Sequence, residues 1–206
     1  MTPPLSRRAF LLGAGAALAA TACTGRSGEG STAARSPDST AAAGDAADLD
    51  LAAEAAGLEV AAVDAYTAIA EATKAGRLGD VPGAAGEFLA AAGQHHRHLL
   101  DAWNQVLVAG HRPKVVTPAE QVKPTVDTRL ARARTLADAA AVARTVEEKA
   151  AATYLAAVPA LRRADLVTLA GSMQAAAAGR AATLSFLLGE YPAPDTFAKT
   201  DDALRR

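Results

Sequence analysis

The sequence contains few aromatic residues, a single cysteine and almost no net charge. Aromatic residues make up 4% of its 206 positions, and the formal net charge at pH 7 is −1. Because strands are enriched in aromatic and β-branched side chains, this alanine-rich composition favours closely packed helices over sheets. The near-neutral charge argues against a nucleic-acid partner, which a basic surface would attract. The only cysteine, Cys23, excludes an intramolecular disulfide.

Common catalytic motifs are also missing. The sequence has no Gly-x-Ser-x-Gly elbow, no P-loop, no His-Glu-x-x-His and no Cys-x-x-Cys. No catalytic residue is therefore predicted, and an enzymatic role is not the favoured interpretation.

Residues 1–23 have the features of an export signal. Ser-Arg-Arg-Ala-Phe-Leu at residues 6–11 is similar to the twin-arginine motif, and an apolar stretch of small residues follows it. That stretch is about a dozen residues long, whereas a membrane-spanning helix needs about 20. It ends in Ala-Thr-Ala-Cys23, which resembles a lipobox. We expect a lipoprotein anchored through Cys23 at the outer face of the cytoplasmic membrane; cleavage without lipidation would give a secreted protein.

The remaining chain divides into a linker, a helical domain and a tail. Residues 24–46 are mostly small and polar and have no apolar period, which is typical of a flexible linker. Apolar residues then recur every three to four positions, so residues 47–197 are predicted to fold as helices. Four long helices are expected at about 48–75, 82–109, 138–159 and 162–188, with a short helix at about 126–136 and a polar tail at 198–206.

Two helices carry the same pair of polar residues on an apolar face. Glu59 and Tyr66 are separated by two helical turns in the first helix, and Glu147 and Tyr154 repeat that spacing in the third. A carboxylate on a buried face requires a cation or hydrogen-bond donors. These four residues therefore predict a polar cluster inside the domain.

The second helix contains three histidines within the stretch Gly-Gln-His-His-Arg-His at residues 93–98. Helical spacing predicts that His95 and His98 face the core and that His96 points elsewhere. The histidine pair has two interpretations, either metal ligands or hydrogen-bonded core residues. As ligands, His95 and His98 would join Glu59 and Glu147 around a single iron or zinc ion.

The repeated Glu–Tyr pairs, together with Gly-x-x-Pro at residues 110–113 and again at 189–192, resemble the ferritin-like superfamily. The similarity is to its exported twin-arginine members of unknown function, and it covers about residues 48–197. It implies an all-α fold, a ferritin-like four-helix bundle with a long middle crossover.

The resemblance also implies a di-metal centre, which this sequence only partly retains. Such a bundle takes one glutamate from each of two helices and a Glu-x-x-His pair from each of the other two. Glu59 and Glu147 match the single glutamates, but the last helix has Ala177 and Arg180 where the pair is implied. We expect the Arg180 guanidinium to replace the metal by pairing with Glu59 or Glu147; the alternative is that Arg180 extends to the surface.

The sequence thus predicts a lipid-anchored, extracytoplasmic bundle with a degenerate di-metal site that binds or scaffolds a protein or small molecule. This interpretation requires no cofactor. The alternative is a metal-binding or redox protein that uses a reduced site with a single iron or zinc ion. The candidate inner cluster comprises Glu59, Tyr66, His95, His98, Glu147, Tyr154 and Arg180.

Overall fold

Five α-helices and no strand make up residues 37–204, the part of the chain that the computed structural model describes, with side chains described from residue 44 onward. The helices are α1 (Pro37–Lys74), α2 (Gly83–Ala109), α3 (Lys123–Arg132), α4 (Leu136–Ala157) and α5 (Ala164–Leu187). The all-helical prediction is confirmed. None of the described helices is long and apolar enough to cross a membrane.

The first helix begins earlier than the sequence pattern predicts. Residues 37–46 were expected in the linker, but they form the first turns of α1, which begins at Pro37. Alanine, the strongest helix former, accounts for four of the ten residues in this segment, and proline suits a first helical turn because its missing N–H has no intrahelical acceptor there. The predicted export signal, Cys23 and the start of the linker, residues 1–36, lie outside the described residues.

The helices pack mainly as two pairs. Helix α1 lies along α2, α4 lies along α5, and α1 also contacts α4. Many core positions are alanine, and these small side chains allow helix axes to approach closely. The largest fully buried side chains include Trp103, Tyr154, Leu58 and Ile69. The tail beyond residue 197 returns along α4, where the Leu204 N–H donates to Thr153 Oγ1 at 3.0 Å.

The long connection between α2 and α4 is fixed to both earlier helices. The Ala119 N–H donates to the carbonyl of Gly57 in α1 at 2.8 Å. The Asn104 side chain of α2 exchanges two hydrogen bonds with the backbone of Val115, at 2.8 and 3.1 Å. This connection also contains α3. Because Pro124 sits in its first turn, α3 begins at Lys123, slightly earlier than predicted.

The start of α5 is capped by a residue from another helix. Asp48 lies within α1 and is fully buried. Its carboxylate accepts hydrogen bonds from the backbone N–H groups of Arg162 at 3.0 Å and Arg163 at 2.9 Å. Both donors lie immediately before α5, so Asp48 links the first helix pair to the start of α5.

Replacing Asp48 with alanine should lower the free energy of unfolding by about 2 kcal/mol, because two partly buried backbone N–H groups lose their acceptor. Asp50→Ala is the matched control, since Asp50 is exposed and forms an ion pair with the exposed Arg112. That control should change stability by about 0.5 kcal/mol or less. Chemical denaturation measures both, and equal effects would contradict the capping role.

Candidate functional site

Six polar side chains from four helices meet in the core. Glu59, His96 and Glu147 have no solvent exposure, and Tyr66, Tyr154 and Arg180 are also buried. We call this set the inner cluster: Glu59 and Tyr66 from α1, His96 from α2, Glu147 and Tyr154 from α4, and Arg180 from α5. Two carboxylates and two basic groups balance formally, so the inner cluster can be electrically neutral.

His96 bridges the two glutamates. Its Nδ1 lies 2.6 Å from Oε2 of Glu59, and its Nε2 lies 3.0 Å from Oε1 of Glu147. Only a doubly protonated imidazolium can donate at both nitrogens. Burial alone would lower the pKa of His96, but the charge of Glu59 and the hydrogen bonds to both carboxylates raise this pKa to about 9. The ring is therefore a cation held between two anions at neutral pH.

Glu147 accepts most of the other hydrogen bonds within the inner cluster. Its Oε1 accepts from Nε of Arg180 at 2.8 Å and from the hydroxyl of Tyr66 at 2.7 Å, in addition to His96. Burial would raise the pKa of Glu147, but the hydrogen bonds and charges of His96 and Arg180 hold it below its usual range. Among the described residues, Oε2 of Glu147 and Nη2 of Arg180 have no hydrogen-bond partner.

The tyrosines connect the two helix pairs reciprocally. Tyr66 of α1 donates to Glu147 of α4, while Tyr154 of α4 donates to Glu59 of α1. Trp103 Nε1 donates in turn to the Tyr154 hydroxyl at 3.2 Å. Burial and the neighbouring carboxylates raise the pKa of both tyrosines, so both hydroxyls stay protonated and act as donors.

The structure places the predicted histidines differently. The expectation that His95 and His98 face the core is wrong, because both are exposed and His96 is fully buried. Glu59, Tyr66, Glu147, Tyr154 and Arg180 meet in one cluster, but the four-ligand set that included His95 and His98 does not assemble. Leu99, which shares a helical face with His95, is only half-buried. The buried positions of α2 instead follow Ala85, Leu89, Ala92, Gly93, His96, Trp103, Asn104 and Leu107.

One sequence feature could have identified His96. The only tryptophan, Trp103, lies seven residues beyond it, two turns along the same face. A large aromatic residue is a stronger marker of a buried helical face than alanine or leucine in a chain this rich in both.

These observations define a class of protein: an all-helical domain with a buried, ion-paired polar centre. Comparison with known proteins identifies the family, because a family model for the ferritin-like domain matches residues 47–190. The chain belongs to the ferritin-like domain family. No curated protein and no solved structure showed significant similarity to it.

The donor set does not fit the di-metal centre that ferritin-like bundles can hold. Glu-x-x-His pairs would be required on α2 and α5. Gly93 precedes His96 by three residues, and Ala177 precedes Arg180 by three, so both pair carboxylates are missing and one imidazole is replaced by a guanidinium. Both nitrogens of His96 already contact carboxylates. In the described residues, no group of three or more His, Cys, Asp or Glu side chains is arranged to hold a metal ion.

Substituting His96 with leucine should lower the free energy of unfolding by about 3–5 kcal/mol, because two buried carboxylates would lose the cation between them. The exposed His98 provides the matched control, and His98→Leu should cost about 0.5 kcal/mol or less. Chemical denaturation compares the two. Similar losses in both variants would contradict the bridging role of His96.

The stability of the domain should also fall as pH rises from mildly acidic to alkaline. The His96 pKa is raised from 6.5 to about 9 on folding, so its contribution is complete below pH 6.5 and is lost as pH rises through about 9. We expect a decrease on the order of 3 kcal/mol over this interval, measured by denaturation at a series of pH values. The contribution of Glu147 to stability depends on pH in the opposite direction. Folding lowers its pKa, so this contribution is present above its ordinary pKa of 4.5 and is lost as pH falls through the lower pKa of the folded state.

His98→Leu should retain the alkaline decrease and His96→Leu should lose it. An unfolding free energy that is flat between pH 6.5 and 9 in the wild-type protein would contradict the assignment of a charged His96.

Proposed function

We propose that this protein is a lipid-anchored, extracytoplasmic ferritin-like four-helix bundle that binds or scaffolds a protein partner. In this proposal the inner cluster stands in place of a di-metal centre and holds the bundle together. The long helices α1, α2, α4 and α5 form the bundle, and the connection that contains α3 is the middle crossover. The pairing of α1 with α2 and of α4 with α5 supports this arrangement.

The observation that carries the proposal is the position of His96 between Glu59 and Glu147. A nitrogen that donates a hydrogen bond has no lone pair for a metal ion. Both nitrogens of His96 are engaged in this way, and the guanidinium of Arg180 adds a second fixed positive charge beside Glu147. The cluster is neutral and buried, which suits a structural role. In this proposal, the binding of a partner takes place at the surface of the domain.

Exposed aromatic residues near the end of α5 support a binding role. Phe186, Tyr191 and Phe197 are 75–82% exposed, whereas the aromatic residues of the core are buried. Tyr191 and Phe197 border one groove that runs along α4 and α5. Exposed aromatic side chains of this kind commonly contribute contact area in protein interfaces.

The proposed location at the outer face of the membrane is inferred from residues 1–23. The twin-arginine motif, the short apolar stretch and the lipobox-like end at Cys23 support export followed by lipidation. The competing function, a metal-binding or redox protein with one iron or zinc ion, would require a set of ligands other than the predicted Glu59, His95, His98 and Glu147, because two of these are exposed.

One preparation tests both parts of the proposal. The full chain is produced in a host with twin-arginine export, the cells are fractionated, and the protein is purified without added metal for elemental analysis. We expect it in the membrane fraction with no metal in stoichiometric amount. Its melting temperature should not respond to a chelator or to added iron or zinc, because a ligand that does not bind the folded state cannot stabilise it.

Cys23→Ala is the control for anchoring and should move the protein from the membrane to the soluble fraction. Stoichiometric iron, manganese or zinc in the wild-type protein, or a melting temperature that falls with chelator, would establish the metal-dependent alternative. Wild-type protein found only in the soluble fraction would overturn the lipid anchor.

A further inference from the structure

The groove along α4 and α5 is bounded on its outer side by the segment that follows α5. Residues 190–202 contribute this wall, while small side chains such as Ala151, Ala178 and Ala182 form much of the floor. The volume of the groove is about 670 Å³. None of the described residues that line it belongs to the inner cluster, so the groove is a separate feature of the surface.

The wall is fixed to α4 at both ends. At its start, the carboxylate of Glu190 forms an ion pair with Arg144 of α4. At its end, Nζ of Lys149 donates to the backbone carbonyl of Asp202 at 2.8 Å. The groove is therefore formed before any partner binds, which limits the entropy lost on binding.

Between these two ends, the backbone of the wall is unpaired. Residues 191–199 are all exposed, and within the described chain none of their backbone N–H or C=O groups forms a hydrogen bond. Extended peptides commonly bind proteins through main-chain hydrogen bonds to such free groups. The wall can therefore bond the backbone of an extended segment that lies along it.

Two aromatic side chains also line the groove. Tyr191 and Phe197 are 75% and 82% exposed. Aromatic faces attract the ammonium group of lysine and the guanidinium group of arginine, and they also pack against aliphatic side chains. Phe186 is similarly exposed, at 76%, but it does not line the groove.

The charge of the groove is negative. Its lining contains four carboxylates and two cations, which are Glu148, Glu190, Asp195 and Asp202 with Arg144 and Lys199. The carboxylate of Asp202 forms no ion pair within the described chain. Burial and the charges of Asp202 and Glu190 raise the pKa of Glu148, so the negative charge around it is incompletely compensated.

We propose that this groove binds an extended, positively charged peptide segment of a partner protein. Lysine or arginine side chains of that segment are attracted by Glu148 and Asp202 and stack on Tyr191 and Phe197, while its backbone bonds residues 191–199. Complementary charge selects a basic segment over an acidic one. This inference rests on the proposed function, because it specifies the kind of protein partner that the surface binds.

Fluorescence anisotropy with the full chain tests the inference, and the probe is a labelled heptapeptide that alternates arginine with valine. The wild-type protein should bind this probe about tenfold more tightly than the same peptide with glutamate in place of arginine. The affinity for the basic probe should fall as salt is added, because salt screens exposed charges.

Two pairs of variants locate the binding. Phe197→Ala should weaken binding of the basic probe about fivefold, and the matched Phe186→Ala should leave it unchanged. Glu148→Gln with Asp202→Asn should weaken binding about tenfold. Its control is Asp80→Asn with Asp101→Asn, which removes the same charge from exposed positions outside the groove and should have less than about a twofold effect.

Three results would overturn the inference: no binding of the basic probe, equal affinity for the basic and acidic probes, or equal effects of each groove variant and its control. All three leave the metal-free state and the lipid anchor intact. Failure of the proposed function would appear instead in the metal content and the cell fractions, which are measured without any peptide.

Discussion

Two buried carboxylates set the main physical constraint on this fold. Glu59 and Glu147 have no solvent exposure, and transferring a single unpaired carboxylate from water into a protein core costs several kcal/mol. The chain satisfies them with a histidine, an arginine and two tyrosines drawn from all four long helices. Because each carboxylate depends on donors from other helices, the cluster fixes how α1, α2, α4 and α5 align. A slip of one residue in any of them would leave a buried charge without its partner.

Small residues make that alignment possible. Gly93 allows Tyr66 to pack against α2, and Ala177 occupies the equivalent place on α5. Outside the cluster, the connection between α2 and α4 is fixed to α1 at Gly57 and to α2 at Asn104, and Asp48 caps α5. These contacts fasten the connection between α2 and α4, and the start of α5, to the first helix pair.

Much of this organisation could be predicted from the sequence, and the errors have physical causes. The Glu–Tyr repeat identified the carboxylates and tyrosines because two turns return a residue to the same helical face. The choice of His95 and His98 over His96 failed because half-buried leucines and ubiquitous alanines define the inner face of α2 poorly. Residues 37–46 were assigned to a linker because they are mostly small and polar and have no apolar period, yet their alanines continue α1. The fit between Gly93 and Tyr66 could not be predicted, since it depends on the distance between two helices.

The neutrality of the inner cluster depends on a positively charged His96 ring placed between Glu59 and Glu147. Nitrogen NMR of histidine-labelled protein at neutral pH tests this most directly, with the His96 signals identified by comparison with His96→Gln. We expect protons on both ring nitrogens of His96, with the shifts of an imidazolium engaged in two strong hydrogen bonds. A ring protonated at one nitrogen, or one bound to a metal ion, would contradict the account.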